Sequence, residues 1–384
     1  MEICTECEKR AGVKIAKGHG WKKANGPDSC SVCAGAGKKI EALCASAFGQ
    51  SIEDGIECGS FAVSTSIPRR CLENDELLLL ASGAKNFMPL KNWLNAKLGE
   101  NYKKIGKKKI AVVAGGADCT LRVDFEKNAA ALVPCNIYVF GRYEKFAAGL
   151  SQVRWDCANC SGKGCEKCGQ TGARTDGSVH QEIERGFAGF CHEGTILHGS
   201  GREDVDVRTI GRGRPFVLEI ARPRRRGVDL GKLESWTNSG KKVAVHGLRF
   251  VGAGFVQAMK NCRLDKHYRA VIGIGRQPQK TDIEKIERLG GIAIMQNTPT
   301  RVLKRRGEKL REKKIYCVNA EECKGNIVAD IFAECGTYIK ELINSDSGRT
   351  QPSVAQATGT QAACLELVMT GIEDEFLEAM LKGH

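Results

Sequence analysis

The chain has 384 residues, 19 of them cysteine, and 59 Lys+Arg against 45 Asp+Glu give it a formal charge of +14. With 42% hydrophobic and 27% charged residues it is neither disordered nor fibrous, and its longest apolar runs, such as LLLLA at 77–81, fall far short of the ~18 residues a membrane span needs. Its N-terminus, MEICTECEKR, has no basic-then-apolar signal pattern, so a cytoplasmic setting is expected, with cysteines as reduced thiols or metal ligands.

Two or three domains fit this length. Residues 1–48 carry Cys4-Thr5-Glu6-Cys7 and Cys30-Ser31-Val32-Cys33. A CxxC turn sets two thiolates on one side of a tight loop, and two such knuckles complete the tetrahedral S4 shell that zinc prefers. Gly18, Gly20, Gly26 and Pro27 between them let the knuckles meet. Residues 49–152 read as a compact mixed domain. LENDELLLLA and LKNWLNAKLG have helical apolar spacing, while IAVVAG, CTLRVDF and CNIYVFG read as strands. The segment 153–175 reads as a hinge with a second cysteine group, WDCANCSGKGCEKCGQTG, containing Cys157, Cys160, Cys165 and Cys168. Only four residues separate its knuckles, so both reach one ion only if the chain reverses sharply through Gly162 and Gly164. Four thiolates leave no open position for water, so zinc in either group, one or two ions in all, is expected to be structural. The scattered Cys119, Cys135, Cys262 and Cys364 read as small buried side chains.

Residues 176–384 form the largest expected domain. Its strands are VDVRTI, RPFVLEIA, KVAVHGLRFV, YRAVIGIG, GIAIMQN, KIYCVN and NIVADIFAEC, and its helices TDIEKIERLG and EDEFLEAMLKGH. One sheet with helices against it, in an α+β (mixed α/β) chain, is the expected class. Charge is concentrated locally. Segment 201–226 has eight Arg against four acids, RVLKRRGEKLREKK at 301–314 has eight bases against two acids, and a lysine run occupies 103–109. Three basic runs in three places favour a polyanion, with nucleic acid as the leading partner.

Reactive groups in familiar form are missing. There is no GxxxxGK[ST] loop and no GxGxxG after a strand, and His180-Gln181-Glu182 imitates the H-x-E of zinc deaminases without the P-C-x-x-C that should follow. What stands out is HGSGREDVDVRTIGRGRPF at 198–216. A glycine-rich turn leads through Arg202-Glu203-Asp204 into an expected alternating strand, Val205 to Arg208. A carboxylate there, among arginines, stays ionised and reactive.

GREDVDVRTIGRGRPF, with YVFGRYEKFAAGLSQVRWDC at 138–157 and ECGTYIKELINSDSGRTQPSV at 334–354, resembles the archaeal and eukaryotic tRNA pseudouridine synthases that act on the T-arm, whose archaeal members modify uridines 54 and 55. The likeness covers about 65 to 370; before that only the paired CxxC knuckles carry over. It implies a pseudouridine synthase catalytic domain with a mainly antiparallel sheet and flanking helices, preceded by a zinc-binding, THUMP-like accessory domain over 49–152. It implies a monomer with no organic cofactor.

Position by position, the resemblance makes Asp204 the catalytic aspartate in an R-x-D arrangement. Asp206, on the same face of the expected strand, is the rival. Tyr268 in DKHYRAVIGIG matches the stacking tyrosine, Lys340 in GTYIKEL the basic residue that pairs with the aspartate, and Leu342 the apolar pocket wall. Arg202 is placed to fill the space of a flipped base or to hold a phosphate. Tyr338, Arg208, Arg301, Arg305 and Arg306 are expected to contact substrate. The lysines of 103–109 and Arg142-Tyr143 are candidates for the acceptor end of tRNA, and RPRRR at 222–226 and the 301–314 run for the T-arm. A competing reading is a zinc-containing RNA-binding module without catalysis; another is a different THUMP-bearing tRNA enzyme, which would need a nucleotide-cofactor loop the chain lacks.

Overall fold

The computed structural model describes residues 1–12, 20–107, 109–304 and 306–382. The chain separates into two compact units, one comprising Met1–Ile137, Phe190–Gly194 and Ile220–Val228, the other Tyr138–Gly189, Thr195–Glu219 and Asp229–His384.

In the first unit, β1 (Glu2–Ile3) and β2 (Lys22–Lys23) form a short parallel pair. Strands β3 (Ser60–Ser66), β4 (Ala111–Val112), β5 (Cys119–Asp124) and β6 (Ala129–Pro134) form a sheet in the order β4-β3-β5-β6. The two expected helices span Arg69–Ser82 and Leu90–Ile105, and each starts directly after a proline, Pro68 or Pro89. Proline lacks an N–H to leave unpaired at a helix entrance, which suits it to that place. Leu90, Leu94 and Leu98 recur every four residues, so one face of the second helix is apolar, and it shares a core with Phe61, Leu121 and Leu132 of the sheet. IAVVAG is a strand only over Ala111–Val112. An 18-residue helix, Ala36–Glu53, goes beyond what the sequence reading anticipates. Its buried Ile40, Leu43, Cys44 and Ala47 have helical spacing, but intervening glycines and small residues dilute the pattern.

The larger sheet lies chiefly in the second unit. Its ten strands are β7 (Ile137–Lys145), β8 (Gly194–Gly199), β9 (Arg208–Ala221), β10 (Val243–Val251), β11 (Lys266–Ile274), β12 (Ala293–Gln296), β13 (Arg311–Cys323), β14 (Asn326–Ala333), β15 (Thr350–Gln351) and β16 (Ala362–Ile372). Their order is β10-β7-β9-β16-β11-β14-β13-β12-β15, with β8 beside β9. β9 runs parallel to β16, and the other registered pairs are antiparallel. The expected α+β class with a mainly antiparallel sheet is what the chain adopts. Residues 138–152 go with this unit because β7 is hydrogen-bonded to β10 from Tyr138 to Lys145.

Two differences from the expected strands matter. Central β16 is hidden in the sequence because register slips against β11 break its two-residue alternation. VDVRTI is strand only from Arg208 onward: Val207 N–H bonds the Asp204 carbonyl at 3.2 Å, so Val205 and Asp206 form a turn. Asp204 and Asp206 therefore do not share a strand face. The β8–β9 loop, the start of β11 and the segments after β12 and β14 converge, and the candidate site lies there.

Candidate active site and metal centres

These segments enclose a cavity of about 480 Å³. Asp204 reaches it from the β8–β9 loop, Tyr268 from β11, Arg301 and Arg306 from the segment after β12, and Tyr338 and Lys340 from the segment after β14. Gly201 lets the loop approach its support closely: φ is +80°, and a Cβ would lie 3.1 Å from Arg214 Nη1. A larger cleft of about 850 Å³, at Gly273–Gly275 and Thr360–Ala363, is lined by no ionisable side chain and offers no reactive group.

Among the described residues, Arg301 is the nearest cation to the Asp204 carboxylate, with Nη1 donating to Oδ1 at 2.8 Å and Nε to Glu341 Oε1 at 2.6 Å. Lys340 Nζ is 3.6 Å from Asp204 Oδ2 and bonds both oxygens of Asp206 at 2.7 and 2.6 Å. The expected Lys340–Asp204 ion pair is present, but as the longer of two contacts to that carboxylate. The turn swings Asp206 toward the ammonium, and Arg301, fixed by buried Glu341, makes the shorter contact with Asp204. Burial pushes the Asp206 carboxyl up, but its bond to Lys340 and the attraction of that charge outweigh this and hold it below the ordinary range.

Tyr268 is half-buried, and burial pushes its hydroxyl up to about 12, so it stays a neutral phenol at neutral pH. Lys266, two residues earlier and so on the same strand face, also lines the cavity; burial pushes its ammonium down to about 8. The Arg202 guanidinium stacks over Trp155 at 4.7 Å. Arg306 Nη1 donates to Tyr338 Oη at 2.8 Å. Arg208 pairs with Glu366 and is absent from the cavity wall, and Arg305 lies outside the described residues.

Leu342 is buried in the core with Ile343 and does not line the cavity, whose apolar wall comes from Val207, Val302, Ile339 and Leu367. Helix Ile339–Asn344 explains this: two residues beyond Lys340 the helix has turned about 200°, which points Leu342 inward.

Buried polar support beneath the loop carries no signal in the sequence. Arg214 Nε meets Glu203 Oε2 at 2.8 Å, and Tyr143 Oη donates to the Glu203 oxygens at 2.8 and 2.7 Å. Gln152 links Tyr143 Oη at 2.9 Å to the Gly201 carbonyl at 3.0 Å. Lys145, fully buried, gives its three N–H donors to the carbonyls of Leu150, Asp204 and Val205 at 2.9, 3.0 and 3.0 Å. No local signal marks these residues, because a lysine or glutamate reads as surface until its partners are known.

Tyr143 is therefore no surface contact, and neither is Arg142, which is buried and paired with Asp374 and, at 2.6 Å, with Glu378. Within RPRRR, Arg222 pairs with Glu193 and Arg226 with Asp118, while Arg224 and Arg225 are exposed. In the 103–109 run, Lys108 lies outside the described residues.

Both cysteine sets are assembled. Within each of Cys4, Cys7, Cys30, Cys33 and Cys157, Cys160, Cys165, Cys168, the sulfurs lie within 4.8 Å of one another. A tetrahedron of thiolates ~2.3 Å from zinc has edges of about 3.8 Å. The observed separations are 3.7 Å for Cys4–Cys33, 3.9 Å for Cys157–Cys165 and Cys160–Cys168, and 3.7 Å for Cys165–Cys168. Backbone N–H groups of Gly164 and Gly172 point at Cys160 and Cys168 sulfurs at 3.2 Å, which favours thiolates. The residues fit a structural metal at both places.

A family model described as "Pus10, C-terminal" matches residues 138–373. A Methanothrix thermoacetophila protein described as tRNA pseudouridine synthase Pus10 is 36% identical over 355 residues, 88% of this chain and 76% of that protein. A Korarchaeum cryptofilum protein of the same description is 35% identical over 323 residues, 82% and 85% of the two chains. A solved Cbf5-Nop10-Gar1 complex overlaps 50% of this chain and 44% of the matched chain at 21% identity with a TM-score of 0.33, too slight to argue from.

Proposed function

The chain belongs to the Pus10 family of tRNA pseudouridine synthases, isomerases that need no organic cofactor, and from that premise we propose that it converts uridine 54, uridine 55 or both in the tRNA T-arm, with Asp204 as the group that acts at the sugar. The observation that carries the role of Asp204 is its carboxylate at the mouth of a walled cavity, held by Arg301 at 2.8 Å beside a neutral phenol.

The reaction breaks N1–C1′, turns the uracil and rejoins it through C5, whose proton leaves while N1 gains one; nothing is oxidised, reduced or hydrolysed. A carboxylate suffices, as nucleophile at C1′ or as base at the sugar. Withdrawing the base from its stack costs a few kcal/mol. Stacking on Tyr268, worth about 1–3 kcal/mol per base, offsets much of that. Arg202 is suited to the vacated space or a neighbouring phosphate, while Arg208, Arg306 and Tyr338 are candidates for positioning the flanking nucleotides. Arg301 holds Asp204 ionised and aimed, and Lys340 neutralises Asp206 nearby.

The sheet Ser60–Pro134 with its helices is the proposed THUMP-like part that reaches the acceptor end. Zinc is the proposed occupant of both thiol sets, on the chemistry of four thiolates, and its task is to fix loops. No described helix is long and apolar enough to cross a membrane; action as a monomer in the cytoplasm completes the proposal. Incubating the purified protein with unmodified tRNA and mapping pseudouridine tests the reading: product in the T-arm is expected, and product elsewhere or none contradicts it.

A further inference from the structure

A second basic cleft lies outside the active-site cavity. It has a volume of about 630 Å³ and is walled by the Cys157–Cys168 knuckle on one side and helix Val179–Gly186 on the other. Five cations line it, Arg154, Lys167, Arg174, Arg185 and Lys242, against two acids, Asp176 and Glu182. All five are exposed. Arg185 pairs with Glu182 at 3.2 Å and Arg154 with Asp156 at 3.1 Å, while Lys167 and Lys242 make no ion pair among the described residues.

The cleft has a built floor. Cys157 N–H bonds the Gly172 carbonyl at 2.7 Å, Arg174 N–H the Trp155 carbonyl at 2.9 Å, and Arg174 Nε the Asp156 carbonyl at 2.9 Å. The strap at 171–174 is thus fixed to the segment at 154–157, and Gly172 N–H in turn points at the Cys168 sulfur. The cysteine knuckle therefore shapes the cleft without lying at the reacting atoms.

Continuity with the active site indicates what binds here. Trp155 lines the active-site cavity under Arg202, whereas its neighbours Arg154 and Cys157 line the cleft. One strand-like segment separates the two. A chain whose base enters the cavity has its backbone at the rim, and this cleft is a net-positive groove beyond that rim, on the other side of the Trp155 segment. Exposed Lys and Arg with so few acids suit the repeating charge of phosphodiesters better than a carboxylate ligand.

We infer that this cleft binds the ribose-phosphate backbone of the tRNA substrate next to the nucleotide under modification, so that the second cysteine knuckle is an RNA-holding element. This rests on the reading of the chain as a tRNA synthase.

The test is tRNA binding by the full chain, measured with an unmodified transcript across a salt series. Lys167→Gln with Lys242→Gln removes two charges that make no ion pair in the fold. Lys280→Gln with Lys285→Gln, on the exposed helix Lys280–Glu287, removes the same charge outside either cavity. The cleft variant is expected to bind several-fold more weakly than the control variant, with a slope of log K against log salt shallower by roughly 1.8 for duplex contacts or 1.4 for single-stranded ones. A cleft variant that matches the control in affinity and slope overturns the inference while leaving the synthase reading intact. A wild-type protein that binds no tRNA overturns both.

Discussion

Arg301 Nη1 donates to Asp204 Oδ1 at 2.8 Å, while its Nε is held by Glu341 at 2.6 Å, so one guanidinium ties the proposed catalytic carboxylate to the buried end of helix Ile339–Asn344. The fork fixes direction as well as charge, which a lysine in its place could not do. Arg301→Gln should lower kcat by roughly 10- to 100-fold, the equivalent of a charged hydrogen bond worth about 1.5–3 kcal/mol. Single-turnover kinetics check this. An unchanged kcat would show that Asp204 needs no such partner.

Tyr268 separates stacking from proton chemistry. If its ring stacks on the uracil, Tyr268→Phe keeps most activity, and Tyr268→Ala loses most of it while tRNA affinity stays within a few fold. Normal turnover by the alanine variant would make the tyrosine a core residue.

Lys145 is expected to act through the loop it holds. Lys145→Met leaves three carbonyls without a donor, two of them at Asp204 and Val205. The variant should lose stability by a few kcal/mol and, in the folded fraction, lose kcat with little change in tRNA affinity. A variant destabilised but fully active per folded molecule would limit Lys145 to a packing role.

Lys266 predicts a pH signature. Its ammonium titrates at about 8 in the fold against an ordinary 10.5. Below about 8 both states hold the proton and the burial penalty is complete; between about 8 and 10.5 only the unfolded state still binds it, so stability rises with pH. The gain should be on the order of 3 kcal/mol. Comparing denaturant melts of wild type and Lys266→Met at pH 7 and 10 tests this: the rise should shrink in the variant, and parallel curves would count against a strained lysine.

The two thiol sets differ in shielding. Cys4, Cys7, Cys30 and Cys33 are all buried, whereas of the second set only Cys157 is. Zinc release to a chelator should therefore be biphasic, with the second site emptying first and tRNA affinity falling with it. A single phase, or one ion per chain, would contradict this.

Much of this is legible in the sequence. Long stretches with clear periodicity, such as LKNWLNAKLG and NIVADIFAEC, fold as their spacing implies, and CxxC pairs find each other because thiolate geometry leaves few alternatives. Asp204, Tyr268, Lys340 and Arg301 come together across four separate segments. What is hidden is long-range: that Arg301 lies closer to Asp204 than Lys340 does, which face of a short helix turns inward at Leu342, and that Arg142, Tyr143 and Lys145 are buried by partners far along the chain. Charge on a residue does not reveal a buried partner.

The most direct measurement compares wild type and Asp204→Asn on unmodified tRNA, with pseudouridine mapped and binding measured on the same preparations. The variant should fold, bind tRNA within a few fold of wild type and form no pseudouridine in the T-arm. T-arm pseudouridine above background from Asp204→Asn would contradict the assignment of Asp204 as the catalytic group.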